Sequence, residues 1–141
     1  MLWGEFKHNV DSKNRLFIPA KHREELGDAF IIARSTRGAY LRVYSLADWD
    51  EYCNRIKATM KASEKEMVSR FLNRNAVKVS PDAQGRVIVP PTLLQYAEIS
   101  GEAYVVGCGD YAEIWAVAAY DKLIEEEDVE KINALLESCG L

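Results

Sequence analysis

Two acid–arginine pairs with the same internal spacing are the residues of this chain best suited to chemistry. Asp11 lies four positions before Arg15, and Asp82 lies four positions before Arg86. An arginine guanidinium can hold a phosphate or a guanine edge with two hydrogen bonds, and an aspartate can accept hydrogen bonds from the N–H groups of a turn. The pairs therefore indicate binding, and neither contains an evident catalytic group.

The two pairs belong to a longer internal duplication. Segments 11–19 and 82–90 share one order, namely an acid, three turn residues, an arginine, three apolar residues and a proline, at an offset of 71 residues from 11 to 82. The offset returns downstream at Tyr44 and Trp115. A repeat at a fixed offset is typical of a duplicated structural unit.

Each unit must position its arginine with short elements on either side. Alternating residues over 3–10 and 76–80, and β-rich runs over 15–18 and 86–89, predict strands before and after each turn. Asn14 and Gly85 occupy equivalent turn positions and tolerate positive φ, so we expect a tight hairpin with the arginine at its exit.

The remainder of each unit is predicted as a short helix and a second hairpin. Pro19 and Pro90 suit the start of a helix, because their missing N–H would be unsatisfied there anyway. The predicted helices cover 20–26 and 91–97, and the predicted closing strands cover 29–33, 40–44, 103–107 and 111–115.

Between and after the two units, apolar residues recur at the three- and four-residue spacing of a helix. Ser45 or Asp48 could cap a helix ending near residue 60, and Ser63 has capping-box spacing at the start of a second helix. Two more helices are predicted over 117–124 and 129–136. The acidic run 125–128 between them is most simply a solvated helix face or terminus; a specific acidic binding tail is the alternative.

We divide the chain into a first repeat over 5–47, a helical connection over 48–75, a second repeat over 76–119 and a C-terminal helical segment over 120–141. Each repeat is too small for a comfortably stable core, so the two should share one core or pair with other subunits. There is no signal-peptide pattern and no apolar run long enough to span a membrane. Three widely spaced cysteines suit reduced thiols. We expect a cytoplasmic protein.

Charge is distributed unevenly along the chain. The formal net charge is −4, which argues weakly against nucleic-acid binding, but residues 1–75 hold 14 basic and 10 acidic residues whereas residues 76–141 hold 4 and 12. Where the first repeat has Lys13, Lys21 and Arg23, the second has Gln84, Thr92 and Leu94. If the protein binds a phosphate backbone, the first repeat should dominate that binding.

Residues 10–26 resemble the signature of the SpoVT-AbrB-type swapped-hairpin domain, and two such units resemble the MraZ family of bacterial transcriptional regulators over essentially the full length. The resemblance implies a mainly β fold with α (α+β), in which two swapped-hairpin units pair into a pseudo-twofold small β-barrel flanked by helices. It also implies a ring-like homo-oligomer associated with the nucleoid. Its partner would be double-stranded DNA, at short direct repeats upstream of the division and cell-wall gene cluster that contains its own gene, with repression favoured.

Specific residues follow from that resemblance. Arg15 and Arg86 match the motif arginines, and Asp11 and Asp82 match the motif acids. The nearby basic residues proposed as further DNA contacts are Lys13, Lys21 and Arg23. Two alternatives stay open: each acid and arginine could pair within its turn for structural reasons, and each of the other basic residues could simply be solvated.

Other functions have less support in the sequence. The main competitor is an antitoxin-like protein-binding module, because AbrB-type domains also resemble antitoxins, although a helical period over 129–136 differs from a disordered binding tail. His8 and His22 have no partners at metal-ligand spacing, so we expect them at exposed strand and helix positions. We expect no enzymatic activity, no cofactor, no metal and no membrane association.

Overall fold

The computed structural model describes all residues, Met1–Leu141, as eight strands and six helices. The strands are β1 (Glu5–Asn9), β2 (Arg15–Phe17), β3 (Phe30–Arg34), β4 (Leu41–Ser45), β5 (Ala76–Val79), β6 (Arg86–Ile88), β7 (Glu102–Gly107) and β8 (Ala112–Ala116). The helices are α1 (Ala20–Leu26), α2 (Leu46–Thr59), α3 (Ala62–Arg74), α4 (Pro91–Tyr96), α5 (Val117–Glu125) and α6 (Val129–Ser138).

The strands form a six-stranded antiparallel sheet, in the order β1-β7-β8-β4-β3-β5, and a separate two-stranded ribbon of β2 and β6. The sheet is symmetric about its centre, between β8 and β4. The three strands β1, β7 and β8 on one side correspond to β5, β3 and β4 on the other, so the sheet has two equivalent halves. Each outer strand pairs with the opposite half, β1 with β7 and β5 with β3. The fold therefore combines α and β elements, with strands exchanged between the repeats.

The β2–β6 ribbon lies on one face of the sheet. At its centre Leu16 stands opposite Val87, and both side chains are fully buried in the main apolar core with Phe30 and Ile114. Burial of one such side chain contributes about 2 kcal/mol to folding. Because side chains alternate along a strand, the residues beside Leu16 and Val87 are directed to the outer face of the ribbon.

The helical connection covers the other face of the sheet. Along β4, Leu41 and Val43 enter the main core, whereas the intervening Arg42 and the following Tyr44 lie on the opposite face. A second apolar cluster forms there between the sheet and helices α2 and α3, and it includes Ile31, Ala33, Tyr44, Trp49 and Leu72. The ribbon and the long helices thus lie on opposite sides of the sheet.

Several local predictions are confirmed. Asn14 has φ 60° and Gly85 has φ 81°, as the turn positions require. Ser45 caps α2, accepting a hydrogen bond from the N–H of Asp48 at 3.1 Å. Pro19 and Pro90 immediately precede α1 and α4. Short-range residue chemistry therefore decides these turns and helix starts.

Three predictions are wrong. Strands β1 and β2 share only the single bridge Val10–Leu16 instead of a full hairpin, because they pair with β7 and β6 of the other half. Ser63 does not cap α3; it lies inside that helix, whose first turn follows the extended backbone of Lys61. His22 is not at an exposed helix position: it is 1% exposed, because it lies with Leu26 on the buried face of α1.

The strand pairings described above do not close a barrel, so the small β-barrel remains a prediction. Helices α5 and α6 confirm the two helices predicted near the C-terminus. Asp128 caps α6 by accepting a hydrogen bond from the N–H of Lys131. None of the helices has the length and apolar character needed to cross a bilayer.

Candidate nucleic-acid interface

The first turn is organised around the carboxylate of Asp11. One oxygen accepts hydrogen bonds from the N–H groups of Lys13 and Arg15, each at 2.9 Å, and the other accepts a bond from Arg15 Nε at 2.6 Å. The N–H of Asn14 donates to the carbonyl of Asp11 at 3.0 Å and closes the turn. Arg15 is therefore fixed through Nε, while its two terminal nitrogens have no partner within the chain.

The second turn repeats this arrangement. Asp82 accepts hydrogen bonds from the N–H groups of Gln84 and Arg86 at 2.9 Å and from Arg86 Nε at 2.9 Å. The N–H of Gly85 closes the turn on the carbonyl of Asp82 at 2.9 Å. The duplication in sequence is thus a duplication of hydrogen bonds.

Both carboxylates are held in their charged form. The backbone N–H of Arg15 has the largest effect on the pKa of Asp11 and lowers it, and the N–H of Arg86 does the same for the pKa of Asp82. Partial desolvation acts in the opposite direction but is outweighed. These contacts match the alternative in which the acids organise their turns, and they leave the arginine termini available for another role.

Pairing of β2 with β6 brings the two arginines onto one surface. Arg15 stands opposite Ile88 and Phe17 opposite Arg86, all on the outer face of the ribbon. The arginine side chains are equally accessible, at 29% exposure each. The Nη1 atom of Arg86 also lies 4.0 Å from the carboxylate of Asp11. The sequence identified both arginines, but only the fold makes them neighbours.

The other basic residues predicted to contact DNA differ in whether their side chains already have partners within the chain. Lys13 and Lys21 are exposed and form no ion pair. Arg23 is tied down, since its Nε donates to the carbonyl of Ile18 at 2.8 Å and its guanidinium lies 5.5 Å from the Phe17 ring centroid. A contact between Arg23 and DNA remains a prediction.

Arg23 also joins the two repeats, which sequence reasoning missed. A Cβ atom at Gly85 would lie 2.7 Å from Arg23 Cζ, so the absence of a side chain at residue 85 admits the guanidinium against the second turn. The presence of glycine at 85, where the first repeat has Asn14, was the available signal. It indicated positive φ but not this close approach.

No group of three or more His, Cys, Asp and Glu side chains could hold a metal ion. His22 Nε2 lies 2.7 Å from the carbonyl of Trp3, and its ring meets Phe6 edge-on. His8 similarly packs against Phe17, with ring centroids 4.8 Å apart. The three cysteines are free thiols.

A family model described as "MraZ protein, putative antitoxin-like" matches this chain twice, over residues 1–71 and 72–136. A protein of Halothermothrix orenii is 34% identical across 100% of both chains. A Clostridium acetobutylicum protein is 38% identical, covering 97% of this chain and 95% of its own. A Desulforamulus reducens protein is 38% identical over 86% of each chain. All three relatives are named "Transcriptional regulator MraZ".

Proposed function

The chain belongs to the MraZ family, and we propose that it is a sequence-specific transcriptional regulator that binds double-stranded DNA through the outer face of the β2–β6 ribbon. One observation carries this proposal. Arg15 and Arg86 are each anchored through Nε to a carboxylate of their own turn, on one ribbon, and their terminal nitrogens form no hydrogen bond within the chain, although Arg86 Nη1 lies 4.0 Å from Asp11. The names of the relatives support regulation of transcription in place of catalysis.

The proposed mechanism uses the free ends of the arginines. The major groove of DNA admits a two-stranded ribbon, and arginine can bond a guanine edge or a phosphate with two nitrogens. Anchoring through Nε orders each side chain before binding, which reduces the entropy lost in the complex. Lys13 and Lys21 would add phosphate contacts, which position the protein without reading sequence.

The proposed target is a set of short direct repeats upstream of its own division and cell-wall gene cluster, with repression as the favoured outcome and association with the nucleoid as the consequence. Each subunit offers few basic groups at the ribbon, so one contact should be weak. Linked copies on repeated sites would raise the effective concentration of each ribbon near its site. This supports a homo-oligomer, proposed as a ring.

The C-terminal helix supports self-association. All of residues 121–141 are exposed, and α6 buries none of its residues. It carries a row of apolar side chains that are 42% to 61% exposed: Val129, Ile132, Leu135 and Leu136. Helix α3, in the helical connection between the repeats, instead buries Leu72. An apolar helix face without a partner is typical of an interaction surface, and we propose that other copies of this chain cover it.

A second candidate function is binding of a different protein, in the manner of an antitoxin. The same exposed face of α6 favours it, as does the description of the matching family model. The helical form of α6 differs from the disordered tail expected of such a protein. The two functions differ in what α6 contacts, which can be measured directly.

The test varies the number of repeats on the DNA and removes α6 from the protein. We expect the full chain to bind DNA carrying two or more repeats from upstream of its gene in helical phase at least tenfold more tightly than one isolated repeat. A chain ending at residue 128 should lose this preference. Analytical ultracentrifugation should show that it assembles into fewer subunits than the full chain. Equal affinity for one repeat and a tandem array would overturn the proposed mode. An unchanged number of subunits after truncation would favour the protein-binding alternative for α6.

A further inference from the structure

A cleft on the second half of the molecule has unusual electrostatics. It encloses about 240 Å³ between the end of α3, strand β5 and helix α4. Its lining contains two arginines and no carboxylate: Arg34, Arg74, Asn75, Thr92, Tyr96 and the apolar residues between them. Two cations around one small space repel each other unless an anion lies between them.

Aromatic rings hold the two guanidinium groups at this cleft. The Cζ atom of Arg34 is 3.9 Å from the Tyr96 ring centroid and 5.3 Å from that of Phe71, and Arg74 Cζ is 5.8 Å from the same Phe71 ring. Neither arginine forms an ion pair with a carboxylate. Arg34 Nε is buried without a hydrogen-bond partner in the chain, which is costly in a folded protein.

Hydrogen bonds also fix the walls of the cleft. The hydroxyl of Tyr96 lies within hydrogen-bond distance of two carbonyls, that of Ser35 at 2.8 Å and that of Gly38 at 2.7 Å, and shares its single proton between them. The N–H of Arg34 donates to the carbonyl of Asn75 at 3.0 Å. These bonds connect the end of β3, the end of α3 and helix α4. The cleft is therefore preformed, and a ligand would not need to order it.

The equivalent place in the first half has a different chemistry. There a cleft of about 220 Å³ is lined by Trp3, Lys21 and Glu25, which stand at the offset of 71 from Arg74, Thr92 and Tyr96. Glu24 also lines it, and Glu25 pairs with the amino terminus at 2.8 Å. The duplicated fold thus supplies a matched cleft with carboxylates, and only the second half has cations alone.

We propose that the Arg34–Arg74 cleft binds a phosphate group. Guanidinium groups bond phosphate oxygens in a planar fork, and the hydroxyl of Thr92 lies at the same cleft to donate a further bond. The phosphate could belong to the DNA backbone or to a small phosphorylated molecule. In the first case the protein would contact DNA at this cleft as well as at the β2–β6 ribbon, and only that case rests on the proposed function.

The first experiment uses inorganic phosphate as the probe. Phosphate should raise the thermal unfolding midpoint of the full chain more than sodium chloride at matched ionic strength, because it binds only the folded cleft. Arg74→Ala should weaken phosphate binding about tenfold. Arg70→Ala is the control, since it removes the same charge from the same helix outside the cleft, where Arg70 pairs with Glu66 at 3.2 Å.

The second experiment identifies the source of the phosphate. If the DNA backbone occupies the cleft, Arg74→Ala should reduce the slope of log affinity against log salt by about 1, and Arg70→Ala should not. If a small phosphorylated molecule occupies it, the two variants should bind DNA alike while only Arg74→Ala loses the stabilisation by phosphate. Identical behaviour of the two variants in both assays would overturn the proposal. Arg34→Lys provides a second variant, which keeps the charge but should still weaken phosphate binding by losing the planar fork.

Discussion

The two arginine turns have the same hydrogen bonds and different surroundings. In both, one carboxylate accepts two backbone N–H groups and an arginine Nε. The first repeat has exposed Lys13 in its turn and exposed Lys21 in the helix that follows, whereas the second repeat has exposed Gln84 and Thr92 at the equivalent positions. The comparison teaches that the geometry needed to hold an arginine is duplicated, while the surrounding charge is specific to one repeat.

The comparison extends to the arginines themselves. Arg86 lies near two carboxylates, 2.9 Å from Asp82 and 4.0 Å from Asp11, whereas Arg15 has a contact only with Asp11. A cation shared by two anions attracts a further phosphate or base edge less strongly. Equal exposure of the side chains therefore does not make the two turns equivalent binding groups.

The largest expected effect tests that difference directly. Arg15→Ala should weaken binding to the specific DNA site by roughly 5- to 150-fold if Arg15 reads a base. Arg86→Ala should weaken it less, because its charge is already partly compensated. Fluorescence anisotropy with the upstream DNA measures both, and thermal unfolding checks that each variant folds. A loss of stability in Arg15→Ala with unchanged DNA affinity would show that the acid–arginine pair is structural.

An intermediate effect should follow from exchanging the surroundings of the two turns. Gln84→Lys with Thr92→Lys should strengthen DNA binding and steepen the log–log salt dependence by up to about 2, since each new phosphate contact releases about one counterion. The reciprocal change, Lys13→Gln with Lys21→Thr, should reduce the slope by a similar amount. All four positions are exposed, so the fold should tolerate both exchanges. If neither exchange alters the slope, the local lysines are solvated and do not contact phosphate.

The smallest expected effect concerns acid stability. Both motif aspartates have a lowered pKa in the folded protein, so their stabilising contribution is present above the unfolded pKa of about 3.9 and is lost as pH falls through the lower folded pKa. Asp11→Asn should reduce the free energy of unfolding at neutral pH more than Asp82→Asn, because Asp11 lies near both arginines. Urea unfolding at pH 7 and at pH 3 tests this. A larger loss in Asp82→Asn would reverse the assigned asymmetry.

Much of the local structure could be predicted, because it depends on neighbouring residues. The positive φ of Asn14 and Gly85 follows from turn chemistry, and the cap at Ser45 follows from the spacing to Asp48. The exposed state of α6 could not be predicted from its helical spacing, since that spacing indicates an apolar face but not whether anything covers it.

The structure places together residues that periodicity leaves apart. Arg23 lies against Gly85 of the other repeat, and His22 is buried beside Trp3. Arg34 and Arg74 line one cleft although 40 positions separate their numbers. Contacts of this kind depend on which strand pairs with which, and the alternation of side chains in one strand contains no information about its partner.

The sequence by itself determined the duplication, the two acid–arginine turns, most element positions and the charge difference between the halves. These features depend on residue type and on spacing within a few positions. Only the tertiary structure decided that β1 and β5 exchange between halves, that β2 and β6 join Arg15 to Arg86 on one surface, and that the apolar residues of α6 stay exposed. The physical reason is that strand pairing and packing are contacts between distant segments, selected by burying one shared apolar core rather than by any local preference.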